Sequence, residues 1–261
     1  MQCRLCNNSD LTLYYHQGNK QQFHYYKCSN CGLVNLDLSN LDIASSQDKY
    51  AGFEDPRHCI NAGSNHTYQY LKKRFNKTGT YLDIGCGSGS LLYLMQKQGW
   101  KVTGLEIIPS LAETVNTELG FEVINANFMF YSTGERRFDL ITLRHVLEHI
   151  PDSILALSKL NKLLSKGGHV LLEFPNIEGL SFWFRRLLAK YHISYRKYHP
   201  DYVPGHCNEF SIKPFQFLTE KTGFEIVDWH GYSNKPLMNA LYKIIPVSTK
   251  TRTLIRKTID I

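Results

Sequence analysis

Two short cysteine pairs, Cys3-x-x-Cys6 and Cys28-x-x-Cys31, lie near the start of the chain with 21 residues between them. Thiolates are soft ligands, and four of them offered by two tight loops suit tetrahedral Zn2+. Asn7 and Gly32 follow the pairs, and both residue types permit the turn in which backbone amides support thiolate sulfur. A second kind of chemistry belongs to Asp83-Ile84-Gly85-Cys86-Gly87-Ser88-Gly89, since glycines let a backbone turn sharply and approach a ligand closely. A dinucleotide loop would carry its third Gly at position 90, which is Ser90, so the spacing departs from that class. Groups able to move protons gather later, at His145, Glu148 and His149 and at His206 and Glu209. Unperturbed histidine titrates near pH 6.5, which suits proton removal at neutral pH. His145-x-x-Glu148-His149 also has the spacing of an inverted zinc-protease motif, but it follows a strand and not the interior of an amphipathic helix.

These side chains need a scaffold, and the remaining pattern supplies one. With 43% hydrophobic and 20% charged residues, the 261-residue chain holds enough apolar material for one sizeable core plus a small module. From residue 79, short apolar runs at 80–84, 101–105, 121–124, 138–143 and 168–174 alternate with amphipathic stretches at 90–97, 110–119 and 151–164. That alternation predicts parallel strands joined by crossover helices, an α/β Rossmann-like doubly wound sheet. Gly167-Gly168 reads as the break before the fifth strand, and a helix at 214–222 with a strand at 224–229 resumes the pattern. Strand-to-loop junctions place Glu106 at the tip of the second strand and Arg144-His145 at the tip of the fourth. Ligands collect at such carboxyl ends in open parallel sheets.

With Asp83 two residues ahead of its first Gly, the loop resembles motif I of the class I S-adenosylmethionine-dependent methyltransferases. The run from Leu143 to Asp152 is similar to the "HVLEHIPD" signature of their zinc-ribbon-bearing branch. The resemblance spans about residues 3 to 230. It implies that Asp83, Gly85, Cys86, Gly87 and Gly89 hold S-adenosyl-L-methionine, that Glu106 and Ile107 meet its ribose and adenine, and that Arg144 and His145 line its methionine end. Asn125-Ala126-Asn127 occupies the place where the family commonly has Gly-Asp, and Asn127 could accept from the adenine amino group through its carbonyl oxygen, with Phe128 beside it as a further cofactor contact. Cys3, Cys6, Cys28 and Cys31 become a structural zinc site. The loop 203–211 resembles the family's His-containing loop over the same mouth, which makes His206 the first choice of general base, followed by His145, His149 and Glu209.

The net charge of +7 is concentrated late: residues 181–261 hold 13 Lys or Arg against 6 Asp or Glu, and residues 1–180 hold 17 of each. The basic, aromatic span 182–198 reads as a lid that could meet an anionic handle on the acceptor, or as a packed hairpin with a solvated basic face. The ribbon carries too few cations for a phosphate footprint, which disfavours nucleic acid. The sequence divides into a ribbon (1–38), a connector with a helix (39–78), a cofactor domain (79–235, with the lid at 180–212) and a basic tail (236–261). The tail shows no evident last strand and reads as an amphipathic helix able to touch a membrane surface. With no signal peptide and no bilayer-spanning stretch, a cytoplasmic protein is expected. The acceptor expected is a small molecule, best a sugar or nucleotide-linked sugar. RNA or protein methylation stays open, as does a non-catalytic ribbon protein that binds S-adenosylmethionine. Oligomeric state is not readable.

Overall fold

The computed structural model describes residues 1–39, 41, 52–132, 134–179, 182–183, 187, 198–199, 202–232 and 250–258. The ribbon contributes β1 (Leu11–Gln17), β2 (Phe23–Cys28) and β3 (Val34–Leu36). After α1 (Ala62–Arg74) the alternating region gives β4 (Thr80–Ile84), α2 (Ser90–Lys97), β5 (Lys101–Glu106), α3 (Pro109–Leu119) and β6 (Val123–Asn125). Next come β7 (Phe138–Arg144), α4 (Ser153–Leu163), β8 (Leu164–Pro175), β9 (Asn208–Glu209), α5 (Ile212–Thr222), β10 (Phe224–Tyr232) and β11 (Lys250–Lys257).

One seven-stranded sheet has the order β10-β11-β8-β7-β4-β5-β6. From β6 to β8 its neighbours pair in parallel. β11 runs antiparallel to both β8 and β10. The sheet is therefore the Rossmann-like, mostly parallel one that the apolar alternation predicts. Its central strands read as continuous apolar runs because both faces are covered: Leu82, Ile84, Leu143, Leu171 and Leu172 are all buried.

Two expectations are corrected. Within the basic tail, residues 250–257 form a strand and not an amphipathic helix. The reason is local: Arg252, 1% exposed, is neutralised by Glu173 on the neighbouring strand. The alternating Thr251, Thr253 and Ile255 suit a pleated surface. Residues 233–249 of the tail lie outside the described residues. Gly167-Gly168 does not delay the fifth strand, for β8 begins at Leu164 directly after α4. The glycine pair falls where the β7–β8 register jumps, between Phe138↔Leu164 and Leu140↔His169, with Gly167 at φ +74°. The lid span 182–198 lies outside the described residues, apart from Phe182, Trp183, Leu187 and Tyr198. No helix among the described residues is long and apolar enough to cross a membrane.

A second sheet, of order β1-β2-β3-β9, joins the ribbon to the main body. β9 comes from the far side of the chain and pairs Val34 with Glu209 and Asn35 with Asn208. Leu5 and Leu33 of the ribbon are buried in the same apolar cluster as Leu157, Phe210 and Phe215. Burying one such Leu contributes about 1.5–3 kcal/mol.

Candidate functional site

The loop after β4 owes its shape to its glycines: Gly85, Gly87 and Gly89 lie at φ +72°, +56° and +74°, a region costly for side-chain-bearing residues. A Cβ on Gly85 would also sit 2.7 Å from Val146 Cγ2, so the segment after β7 packs on the loop. Gly89 caps α2, and the first amides of a helix favour a partial negative charge placed before them. Glu106, 5% exposed, accepts the Gly87 N–H at 2.9 Å and the Ile108 N–H at 3.1 Å. Asp83, behind the loop, accepts the Thr142 hydroxyl. Burial raises its carboxyl to about 6, against the pull of nearby Arg144 and the Thr142 hydrogen bond.

Facing the glycines across an open cleft is Arg144, which donates to Ser64 Oγ at 2.9 Å and to Glu173 Oε2 at 3.3 Å. The cleft is also lined by Glu54, Asn61 and Ser64, before or in α1, which the sequence reasoning did not single out. Asn61 carried a readable signal, since its side chain caps α1 by accepting from Gly63 and Ser64. Ser88 ties this connector down, accepting the Glu54 N–H at 3.1 Å and donating to Gly52 O at 3.3 Å. Cys86 is buried within the loop, and its surroundings push the thiol upward. Ile107 stands at the β5 tip, 40% exposed. Phe128 is packed into the core at 5% exposure and lies under Lys159, because its ring gains more by burial than at the rim. Asn127 Oδ1 already accepts the Met129 N–H at 2.9 Å.

A second constellation begins one residue beyond Arg144. His145 adopts φ +57°, uncommon for a residue with a Cβ. Its Nδ1 lies 3.3 Å from Glu148 Oε1 and its Nε2 3.2 Å from Lys250 Nζ. Glu148 is 1% exposed, and its other oxygen, Oε2, has no partner among the described residues. Burial alone would raise this carboxyl, but the His145 hydrogen bond and the surrounding histidines hold it below its ordinary value. His149 Nδ1 meets Gly205 O at 2.9 Å, and its ring stands 4.9 Å from that of His206 at 83°. Burial pushes the His149 imidazole below its usual range. His206 Nδ1 lies 3.2 Å from Glu209 Oε1, and Nε2 lies 4.0 Å from Glu148 Oε1. Burial disfavours its charged form, yet the Glu209 hydrogen bond and both carboxylate charges raise it to about 9. The fold thus brings together His145, His149, His206 and Glu209, from segments sixty residues apart, and adds Glu148 and Lys250. Glu148 stands among the proton-moving groups that the sequence places after the fourth strand. Lys250 had no local signal.

The ribbon holds this second segment in place. Arg4 donates to Leu36 O at 2.8 Å, to Asn208 Oδ1 at 3.1 Å and to Cys207 O. Tyr25 donates to His206 O at 3.2 Å, and Tyr15, stacked on Tyr25, donates to Glu209 Oε1 at 3.4 Å. From the other side Cys207 N–H donates to Glu148 O at 2.9 Å, and Asn208 Nδ2 donates to Ile150 O at 2.7 Å.

The ribbon's own centre is a set of four sulfurs. Cys3 and Cys31 approach to 3.5 Å, as do Cys6 and Cys28, and all four Sγ lie within 4.8 Å of one another. Asn7 and Gly32 take the expected left-handed turns at φ +59° and +81°. The hydrogen bond with Cys31 is the main influence lowering the Cys3 thiol to about 4, with backbone amides of Leu5 and Cys6 adding to it. A tetrahedral thiolate-bound ion with bonds of about 2.3 Å fits sulfurs at this spacing.

A family described as "Methyltransferase domain" matches residues 57–228. A protein of Coxiella burnetii named ubiquinone biosynthesis O-methyltransferase is 26% identical over 219 residues, which cover 78% of this chain and 89% of that one. Among solved structures, an S-adenosylmethionine-dependent methyltransferase of Methanosarcina mazei superposes with a TM-score of 0.57 at 17% identity, covering 73% of this chain and 98% of the other. A magnesium protoporphyrin IX methyltransferase of Synechocystis, solved with bound S-adenosylhomocysteine, superposes with a TM-score of 0.52 at 14% identity, covering 75% and 82%. At such identities the structural likeness speaks to the fold.

Proposed function

The chain belongs to the methyltransferase-domain family, and on that premise we propose that it transfers the methyl group of S-adenosylmethionine to an oxygen of a small molecule, best a sugar or nucleotide-linked sugar. The observation that carries the reading is the cleft between the left-handed glycines and Arg144. It offers bare loop backbone for a close approach and a guanidinium for a carboxylate, and Glu106, which braces the loop from the β5 tip, would turn to the ribose hydroxyls. Gly85, Cys86, Gly87, Gly89, Glu106, Ile107, Asn127, Arg144 and His145 would hold the donor, with Asp83 bracing the loop from behind. The oxygen as target is supported by the name of the Coxiella relative, and the sugar class by the ribbon-bearing resemblance. The small molecule would enter beside His145, His149, His206 and Glu209.

When bound, S-adenosylmethionine supplies an activated methyl. The chain's part is to align the two reactants and to remove the acceptor's proton. We also propose structural Zn2+ on Cys3, Cys6, Cys28 and Cys31, a set that would fold with the ribbon.

Calorimetric titration with S-adenosylmethionine is expected to give one site per chain, and absence of binding would end the enzyme reading. Release of S-adenosylhomocysteine is then measured with UDP-glucose, a free sugar, a dihydroxybenzoate, total RNA and a peptide pool. Turnover confined to RNA or peptide would replace the small-molecule reading. Elemental analysis is expected to find one zinc per chain, lost in the Cys28→Ser variant.

A further inference from the structure

We propose that His149, and not His206, takes the acceptor's proton, while His206 works beside it as a fixed cation held between Glu148 and Glu209. The inference rests on the methyl-transfer reading above and assigns roles within it.

The hydrogen-bond partners divide the two rings. His149 Nδ1 faces a backbone carbonyl, Gly205 O, at 2.9 Å. A carbonyl oxygen only accepts, so Nδ1 carries the hydrogen and the neutral ring keeps its lone pair on Nε2. His206 has no such freedom. Its Nδ1 faces Glu209 Oε1 at 3.2 Å and its Nε2 faces Glu148 Oε1 at 4.0 Å. Both carboxylates are nearly shut off from solvent, at side-chain exposures of 4% and 1%. A ring flanked by an acceptor on each nitrogen is satisfied as the imidazolium, and burial strengthens the attraction.

The pair also sets its own contrast, because two imidazoles 4.9 Å apart do not both hold a proton cheaply. Among the other groups, Glu148 favours charge on both rings and Glu209 on His206, while His145 opposes it on His149. Glu148 and His145 come from the segment after β7, and Glu209 and Cys207 from the β9 segment. The ribbon adds Tyr15, held on Glu209, and Lys250 of β11 donates toward His145 Nε2. His145 is thus held between Lys250 on one ring nitrogen and Glu148 on the other. The directions agree: His149 falls below its usual range and His206 rises to about 9.

In the transfer, the acceptor oxygen forms its bond to the methyl carbon as the carbon–sulfur bond breaks, and that electron pair stays on sulfur. The hydroxyl proton passes to His149 Nε2 and leaves to water afterwards. His206, charged throughout, stabilises the negative charge that builds on the oxygen.

The test uses the full-length, zinc-loaded protein labelled with 15N at its histidine rings, assigned with His149→Gln and His206→Gln. His149 is expected as a neutral ring protonated only at Nδ1 between pH 6 and 8. His206 is expected with both nitrogens protonated until about pH 9. A neutral His206 at pH 7, or a charged His149, overturns the proposal, and neither result depends on finding an acceptor. Failure of methyl transfer would show separately, as silence in the turnover panel with the ring states intact. With the acceptor that the panel identifies, His149→Gln is expected to lower kcat roughly 10²- to 10⁴-fold with little change in KM. Glu209→Gln is expected to move the alkaline limb of the kcat profile downward by about two pH units, toward ordinary histidine. A rate that instead climbs to a plateau above pH 9 and loses that limb in His206→Gln would make His206 the base. Turnover that stops on chelation with the ribbon zinc retained, and returns with added divalent cation, would also overturn the assignment.

Discussion

Glu173→Gln removes the charge on which two guanidiniums converge. Glu173 and Arg252 are each 1% exposed and paired, Arg144 reaches the second oxygen at 3.3 Å, and Thr67 and Tyr232 donate at 2.7 and 3.0 Å. Removing one partner of a buried pair leaves an uncompensated charge and costs about 3–5 kcal/mol. In a chain of this size each kcal/mol moves Tm by about 2–4 °C, so a drop on the order of 10 °C is expected in calorimetry of the zinc-loaded protein at pH 7. The sign with pH follows from the lowered carboxyl, which its two arginines keep below its ordinary value although burial opposes them. The contribution is fully present above the unfolded value of about 4.3 and is lost as pH falls through the lower folded value. The variant should lose that acid-side dependence. Because Arg144 leans on the same carboxylate, affinity for S-adenosylhomocysteine should fall about tenfold, near 1.4 kcal/mol. Adding Arg252→Met should restore about 1–3 kcal/mol of stability, since one unpaired cation goes with it. A loss below about 1 kcal/mol for Glu173→Gln, or no recovery in the double variant, would refute the reasoning.

Gly85→Ala meets both a left-handed φ and Val146 Cγ2 at 2.7 Å; a cost of about 1–3 kcal/mol is expected in urea unfolding, with Val146→Ala relieving the contact but not the backbone strain. Asp83, raised to about 6, destabilises the folded chain once ionised above that pH and ceases to do so as pH falls toward its unfolded value near 3.9. Asp83→Asn should therefore raise ligand-free stability at pH 7 by about 2–3 kcal/mol while weakening S-adenosylmethionine binding in calorimetry. Arg4→Ala strips donors from Leu36 O, Cys207 O and Asn208 Oδ1. It should cost on the order of 3 kcal/mol and speed amide exchange across Asn208 and Glu209; unchanged exchange there would count against the ribbon as their support.

The central strands and the glycine loop were readable because each depends on local signals. Parallel strands buried on both faces are short apolar runs, and Gly85, Gly87 and Gly89 stand where left-handed backbone is needed. The cysteine knuckles were readable for the same reason, through Asn7 and Gly32. What failed depends on partners distant in sequence. Arg252 looks like a surface residue until Glu173 neutralises it, so β11 read as an amphipathic tail. β9 is two residues long and exists only because β3 lies beside it. The roles of His149 and His206 likewise rest on Gly205, Glu209 and Glu148, which no spacing ties together in advance.

The sheet order has a consequence for how the chain reaches this state. β10 is made before β11, yet its backbone pairs with the sheet only through β11. During synthesis from the N-terminus β10 must wait, with an unpaired edge, while residues up to 257 emerge. The same strand delivers Lys250 and Arg252 to the site, so the binding centre is completed by the last element to dock. Such long-range closure is slow and leaves exposed strand edges open to mispairing in the interval. Pulse proteolysis during refolding should accordingly find β4 to β7 protected ahead of β10, and cofactor binding should appear only with the later phase.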